Sequence, residues 1–353
     1  MEKFDSISHF LQSGEFEYRV YDMGRKVWEI PADLFTQIEN QEQQYPYPFQ
    51  QKAWLALLFW PKDKQQEAVI WFLQFPVDEL GFLKQSSRDA FLIDLLEQTG
   101  KNIQAKQKGD KAEDGLSESP FAFKPREDRL AMFHAFATTI LDQEPSQHYQ
   151  YAHDYLLSSE EGGSGMEQWQ FLGLQGLADV ITRLHEDNNE TLLADAVAEM
   201  PEVPLSSYAQ ALENVEFGEV LFNALTGRLK AELAKGEVNI ALVAALIRAI
   251  SSYPSDEDKI SVLLSLLQTP SADEIEIIAA ISGRSWRDLE NDNLRQVFVE
   301  KLTHQEQIAF SAIIADLIMI PGMRELVLGE MRSENRSPEL AKKFGVFMQG
   351  VTG

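Results

Sequence analysis

Residues 52–60, KAWLALLFW, and 68–75, AVIWFLQF, are two short apolar runs that together hold three of the chain's six tryptophans. In each run both sets of alternate residues are apolar, which is typical of strands that are covered on both faces of a sheet. The residues between the runs, PKDKQQE at 61–67, are polar and suit a hairpin loop. We therefore predict a central β-hairpin that is apolar on both faces, rather than an exposed gripping surface.

The residues before this hairpin predict two further strands and a helix. The stretch FEYRVYDMGRKVWEIP, 16–31, indicates two strands that fold back at Met23 and Gly24, because glycine adopts positive φ without penalty. The stretch ADLFTQIENQ, 32–41, indicates a short helix that begins after a proline.

A second helix is predicted after the hairpin, in SSRDAFLIDLLEQTG, 86–100, where Gly100 would stop it. The first hundred residues then have the order ββαββα. We predict that residues 1–100 form an α+β domain, a four-stranded antiparallel sheet with helices on one face. The other face would be covered by the helical part of the chain, by a second copy or by a partner.

The rest of the chain is helical in pattern. Residues 101–120, KNIQAKQKGDKAEDGLSESP, contain almost no apolar side chains and predict a linker. In residues 121–353 apolar side chains recur at helical spacing, in units of about 33 residues that each hold two helices and a turn. The predicted units are 127–158, 168–204, 205–237, 239–270, 271–303 and 304–336. This period predicts an all-α superhelical domain, a HEAT-like α-solenoid, over residues 121–353.

The charge of the chain is strongly negative and unevenly distributed. The net charge is −25, and residues 142–219, which we call the acidic segment, hold 16 acidic residues and one basic residue, Arg183. Such a segment repels nucleic acid phosphates and anionic lipid headgroups, and it attracts a basic protein. The simplest interpretation is a solvated face that keeps the protein soluble, and the alternatives are attraction of a basic partner or a mimic of nucleic acid.

Composition excludes several further classes of protein. There is no cysteine, which rules out disulfides, thiolate metal sites and a cysteine nucleophile. No apolar run approaches the roughly 18 residues that span a bilayer, so we expect no membrane insertion. The opening residues, MEKFDSISHF, lack the layout of a secretory signal. We expect a cytoplasmic protein.

Motifs that would indicate catalysis or a cofactor are also missing. His148 and His153 are five residues apart, which places them on different faces of a helix. No glycine-rich phosphate loop and no Gly-x-Ser-x-Gly elbow occurs. The sequence therefore predicts no catalytic residue, no cofactor and no metal, and it favours a protein that is not an enzyme.

Two short stretches combine polar and aromatic residues in a way that could form a pocket. In YDMGR, 21–25, an aspartate and an arginine flank a turn, and FPVDE, 75–79, ends a strand with two acids. Turn chemistry and strand termination are the simpler explanation of both stretches, because turns select these residue types. The candidate interaction or pocket residues are Tyr21, Asp22, Arg25, Trp54, Trp60, Trp71, Asp78 and Glu79.

Four blocks of the sequence carry a resemblance to a known family. YRVYDMGRKV, YPYPFQQKAWLALLFW, WFLQFPVDE and LGLQGLAD resemble the recurring blocks of an uncharacterised gammaproteobacterial protein family, a domain of unknown function. The resemblance implies a bacterial, cytoplasmic protein. It implies no activity and no catalytic residues.

These observations leave three hypotheses. The first is a non-enzymatic interaction or scaffold protein of the bacterial cytoplasm that binds a protein partner, with a basic protein or a second copy as candidates. The second is an enzyme or small-molecule binder whose site lies between the sheet domain and the helical domain. The third is an acidic mimic that binds a nucleic-acid-binding protein.

Overall fold

The computed structural model describes residues 4–108, 119–158 and 165–352. The chain divides into two compact units. The sheet unit comprises Met1–Arg129 and Met319–Pro321, and the helical unit comprises Leu130–Ile318 and Gly322–Gly353. The central part of the predicted linker, residues 109–118, lies outside the described residues.

The sheet unit contains one four-stranded antiparallel sheet, as predicted. The strands lie in the order β2-β1-β3-β4, and the elements follow the predicted order ββαββα after one additional helix at the N-terminal end. The elements are α1 (Ile7–Ser13), β1 (Phe16–Asp22), β2 (Trp28–Ile30), α2 (Ala32–Glu39), β3 (Lys52–Pro61), β4 (Val69–Pro76) and α3 (Gln85–Lys108).

Two helices of this unit differ from the prediction. Helix α1 was not expected, because its seven residues bury only Ile7, Ser8 and Leu11, too few to produce a helical period. Helix α3 continues through Gly100 to Lys108, so the predicted stop at Gly100 is wrong. A single glycine inside a helix costs only about 1 kcal/mol, and the residues after it are mostly good helix formers.

Both faces of β3 are buried, as its two apolar sets predict, whereas β4 is buried only at Leu73 and Phe75 on one face and leaves Val69 exposed. On one face, residues such as Leu57 and Leu73 pack in a core with side chains of all three helices, including Leu11 of α1, Phe35 of α2 and Phe91 of α3. On the other face the buried side chains are Tyr21, Ala56, Leu58 and Trp60. The strand register explains this division, because directly paired residues lie on the same face of the sheet. Tyr21 pairs with Ala56 on one face, and Leu57 pairs with Trp71 on the other.

A short extended segment pairs with part of the outer edge of β4. The backbone amide of Gln74 donates to the carbonyl of Phe121 at 2.7 Å, and the backbone amide of Phe123 donates to the carbonyl of Phe72 at 3.2 Å. Phe121 packs on Phe75 with ring centroids 5.5 Å apart. The segment therefore satisfies backbone groups that an open sheet edge would leave unpaired.

After residue 126 the regular elements are helices, as predicted. Each predicted 33-residue unit holds two α-helices, except that α8 begins at Glu202 rather than after residue 204. The helices are α4 (Glu127–Ile140), α5 (Tyr149–Leu157), α6 (Leu174–Thr182), α7 (Asn189–Val197), α8 (Glu202–Leu212), α9 (Glu219–Leu233), α10 (Ile240–Ile250), α11 (Asp256–Leu267), α12 (Ile275–Arg284), α13 (Asp292–Leu302), α14 (Gln307–Leu317), α15 (Met323–Met331) and α16 (Pro338–Thr352).

Helices of this part pack on the helix after next. One series runs α6, α8, α10, α12, α14 and α16, and each member contacts the next. The other helices form the contacts α5 with α7, α7 with α9, α11 with α13 and α13 with α15. Across the described ranges of the chain, none of the helices combines the length and the apolar character needed to cross a bilayer.

Candidate functional site

The turn between β1 and β2 is organised by a buried carboxylate. Asp22 is fully buried and accepts hydrogen bonds from the backbone amides of Arg25 at 2.9 Å and Lys26 at 3.1 Å. The hydroxyl of Tyr45 donates to the same carboxylate at 2.6 Å. The side chain of Arg25 is also buried, and its Nε donates to the carbonyl of Pro48 at 2.8 Å. The structure therefore brings Asp22 and Arg25 together at one turn.

The electrostatics of this turn follow from its burial. Burial raises the pKa of Asp22, while the hydrogen bond from Tyr45 and the positive charge of Arg129 oppose that rise. Burial and the neighbouring Asp22 carboxylate raise the pKa of Tyr45 well above its usual value. These groups are hydrogen-bonded to one another and to backbone, an arrangement that stabilises a turn.

The aromatic candidates divide between the two faces of the sheet. Trp71 lies on the helix-covered face, with its ring 4.5 Å from that of Phe59 between centroids. Trp54 and Trp60 lie on the other face with Tyr21, because alternate strand residues point to opposite sides. Trp60 is buried, and Trp54 donates from its indole Nε1 to the carbonyl of Phe49 at 2.9 Å. Burial and the charge of Glu29 raise the pKa of Tyr21.

The two acids after β4 belong to a turn. Oδ1 of Asp78 accepts from the backbone amides of Leu80 and Phe82, both at 2.9 Å. Gly81 has a φ of 87°, which a residue with a side chain rarely adopts. Glu79 is exposed at the tip of this turn. These contacts match the turn chemistry that the sequence offered as the alternative explanation.

Arg183, the one basic residue of the acidic segment, is buried. Arg183 is 3% exposed, and its guanidinium lies 3.8 Å from the buried carboxylate of Asp179 and 3.2 Å from the hydroxyl of Thr138. Most of the acids are exposed. The exposed acids among the described residues of the segment are Asp142, Glu144, Asp154, Glu167, Glu186, Asp187, Asp195, Glu199, Glu202, Glu216 and Glu219. The exposed formal charges of the segment's described residues are therefore all negative.

Five large apolar side chains are exposed among the described residues of this acidic segment, and we call three of them, Tyr151, Phe171 and Leu174, the aromatic patch. Phe171 is 76% exposed, Leu174 is 43% exposed and Tyr151 is 39% exposed. The rings of Tyr151 and Phe171 meet edge to face, with centroids 6.5 Å apart. Sequence reasoning missed the patch, because apolar residues at helical spacing were assigned to the core. The density of apolar residues in MEQWQFLGL, 166–174, just before the regular helix α6, was the available signal.

Two tyrosine hydroxyls hold the backbone that carries Phe171. The residues Met166–Phe171 form a 3₁₀ helix that is kinked at Gln168. Tyr155 donates to the carbonyl of Met166, and Tyr151 donates to that of Gln168, both at 3.0 Å. Burial and the nearby charge of Glu167 raise the pKa of Tyr155 to about 12, so its hydroxyl remains a donor at neutral pH.

A polar groove lies elsewhere in the helical unit. It has a volume of about 710 Å³ and is lined by residues of α13, by Thr303 and His304 just after it, and by Asn335, Ser337 and Glu339. Asp273 lies beside it, with a carboxylate oxygen 2.8 Å from Nζ of Lys301 and 2.6 Å from Nδ1 of His304. These hydrogen bonds lower the pKa of Asp273. Within the part of the chain that the structure describes, no cluster of three or more His, Asp or Glu side chains could hold a metal ion.

Comparison with known proteins places the chain in a family and gives no activity. No curated protein and no solved structure matches it. A family model, however, matches residues 2–348, which is nearly the whole chain. The recurring blocks noted in the sequence thus belong to an established family, and the chain is a member of the family described as "Protein of unknown function (DUF3549)".

Proposed function

We propose that this protein is a non-enzymatic interaction or scaffold protein of the bacterial cytoplasm, and that it binds a basic protein partner through the acidic segment. The observation that carries this proposal is the exposure pattern of residues 142–219. Eleven acids are exposed there, while the one arginine is buried against Asp179. A surface with charge of one sign attracts a partner of the other sign and speeds their encounter.

We also propose that the helical unit is an α-solenoid, which would display this surface along stacked repeats. The contacts of most helices from α5 onward with the helix after next support this arrangement. Units of about 33 residues that each hold two helices support it as well. In a solenoid each unit buries its apolar face on the next, and the outward faces form an extended binding surface.

A second candidate, the acidic mimic of nucleic acid, rests on the same exposure pattern. A mimic would bind a nucleic-acid-binding protein, and DNA would displace it in competition. The further hypothesis of a small-molecule site between the two domains stays a prediction.

Affinity purification tests the proposal with two matched variants. The acid-segment variant carries Asp154→Asn, Glu167→Gln, Asp195→Asn and Glu199→Gln. The sheet-unit variant carries Glu17→Gln, Asp33→Asn, Glu42→Gln and Asp63→Asn, which remove the same number of exposed acids. The full-length chain and both variants are incubated with bacterial lysate at low salt, and the recovered proteins are identified by mass spectrometry.

The proposal predicts one outcome of this comparison. At least one basic protein is recovered with the unmodified chain and with the sheet-unit variant, and is lost with the acid-segment variant. If the same basic proteins are recovered equally with all three chains, the acidic segment is not the binding surface. Adding DNA to the same purification distinguishes the two candidates. If the protein is a mimic, DNA releases the partner; if the partner does not use its DNA-binding surface, it stays bound.

A further inference from the structure

The aromatic patch is the most exposed group of aromatic side chains in the acidic segment. Phe171 has about three quarters of its surface in water, although burying a phenylalanine side chain favours folding. Tyr151 meets it edge to face, and Leu174 follows three residues later. Adjoining exposed apolar side chains, unlike single ones, are typical of docking surfaces.

The patch is held in a defined geometry before any partner binds. The hydroxyl of Tyr151 donates to the carbonyl of Gln168, which joins α5 to the 3₁₀ helix that carries Phe171. The hydroxyl of Tyr155 makes a second such bond to Met166. Because the aromatic side chains are already positioned, they lose little conformational freedom on binding.

Acidic residues lie close in sequence to the two ring-bearing residues. Asp154 lies three residues after Tyr151 on α5, and Glu167 lies in the same 3₁₀ helix as Phe171; both carboxylates are exposed. A cation placed over an aromatic face is attracted by the ring. Arginine suits this combination best, because its planar guanidinium stacks on a ring and also pairs with a carboxylate.

We propose that the aromatic patch anchors an arginine-bearing segment of a protein partner. A guanidinium stacks on Phe171 or Tyr151 and pairs with Asp154 or Glu167. This inference rests on the proposed function and adds to it the residue type that the partner presents. It distinguishes the patch from the rest of the acidic segment, which attracts lysine and arginine equally by charge.

Two peptides of equal charge test the anchor. Fluorescein-labelled nona-arginine and nona-lysine are titrated with the full-length protein at 50 mM salt, and binding is followed by anisotropy. The unmodified chain should bind nona-arginine about threefold more tightly than nona-lysine, the size expected of an exposed cation–π contact. Phe171→Ala should abolish this preference, whereas Phe171→Trp should retain or increase it.

An exposed apolar residue outside the acidic segment supplies the control. Ile308 on α14 is 86% exposed, so Ile308→Ala removes a comparable exposed side chain and should leave the preference unchanged. If both peptides bind equally to the unmodified chain, or if Phe171→Ala keeps the preference, the anchor is overturned while a basic partner of the acidic segment still stands. If neither peptide binds at low salt, the anchor and the proposed function both fail.

Discussion

The turn at residues 22–26 and the aromatic patch both combine acidic side chains with aromatic rings, yet they differ in access to water. Asp22 is fully buried and accepts hydrogen bonds from Tyr45 and from two backbone amides. Around Phe171 the ring and the neighbouring carboxylates are exposed. The same residue types therefore form a hydrogen-bonded turn in one place and, in the other, an exposed surface to which we assign partner binding as a proposal. Burial and hydrogen bonding distinguish the two roles, and residue type does not.

The largest expected effect comes from breaking the turn. Replacing Asp22 by alanine leaves the hydroxyl of Tyr45 and two buried amides without their acceptor, so Asp22→Ala should lower the free energy of unfolding by about 3 kcal/mol. Chemical denaturation measures the change. Asp63→Ala, at an exposed loop position, is the control and should change stability by less than about 0.5 kcal/mol. Equal effects of the two substitutions would contradict the structural role of Asp22.

An ion pair between Glu213 and Arg284 in the helical unit tests whether a buried acid contributes more to stability than an exposed acid of the same segment. Glu213 accepts two hydrogen bonds from Arg284, at 2.8 and 3.0 Å, and so links the end of α8 to the end of α12. Glu213→Gln should lower the free energy of unfolding by about 2 kcal/mol, because the guanidinium loses its charged partner. Glu216→Gln, at an exposed acid of the same segment, should have little effect. A large loss for Glu216→Gln would show that exposed acids also stabilise the fold.

The pH dependence of stability gives a smaller effect. Burial alone would raise the pKa of Glu232, but hydrogen bonds from Lys235 and from the backbone amide of Asn239 outweigh it and hold the pKa below its usual value. A lowered carboxyl pKa adds stability above the unfolded value of about 4.3, and this stability is lost as the pH falls through the folded value.

Glu232→Gln tests this sign by denaturation at several pH values. The variant should be less stable than the unmodified chain by about 1.5 kcal/mol at pH 7, and the difference should shrink as the pH falls below about 4.3. Glu237→Gln, at an exposed position in the loop that follows α9, is the control and should leave the stability nearly unchanged. A difference that grows as the pH falls would mean that burial controls the pKa of Glu232.

The smallest effect concerns strained backbone beside Trp54. The turn from Phe49 to Lys52 places both Gln50 and Gln51 in the left-handed region, with φ of 52° and 58°. Because glycine adopts this region freely, Gln51→Gly should raise the free energy of unfolding by about 0.5 kcal/mol. The same variant should bind nona-arginine like the unmodified chain. Weaker peptide binding would give the sheet unit a part in recognition.

The strands and helix pairs could be predicted from sequence because their patterns are local. The two apolar runs at 52–60 and 68–75 lie between turn residues, and the 33-residue period repeats several times. The pairing of Phe121 and Phe123 with β4 could not be predicted, because it joins a three-residue stretch to a strand about fifty residues earlier. The continuation of α3 past Gly100 was missed because glycine was given more weight as a helix stop than the residues that follow it.

The candidate site shows where sequence reasoning ends. The charge of the acidic segment is visible in the sequence, but the burial of Arg183 is not. Trp71 and Phe171 are both aromatic residues in apolar stretches, and only the tertiary structure shows that Trp71 packs in the core while Phe171 faces water. The tryptophans were predicted as pocket residues because they are aromatic and lie near polar turn residues, whereas exposure to water distinguishes Phe171 as the binding candidate.

One binding measurement on purified chains tests most directly whether the acidic segment, rather than the sheet unit, forms the binding surface. The dissociation constant of nona-arginine is determined at 50 mM salt for the unmodified chain, the acid-segment variant and the sheet-unit variant. The acid-segment variant should bind about tenfold more weakly, since each exposed carboxylate contributes roughly 0.2–1 kcal/mol, and the sheet-unit variant should bind within about twofold of the unmodified chain. Equal weakening in both variants would mean that net charge alone attracts the peptide, and it would contradict a binding surface in residues 142–219.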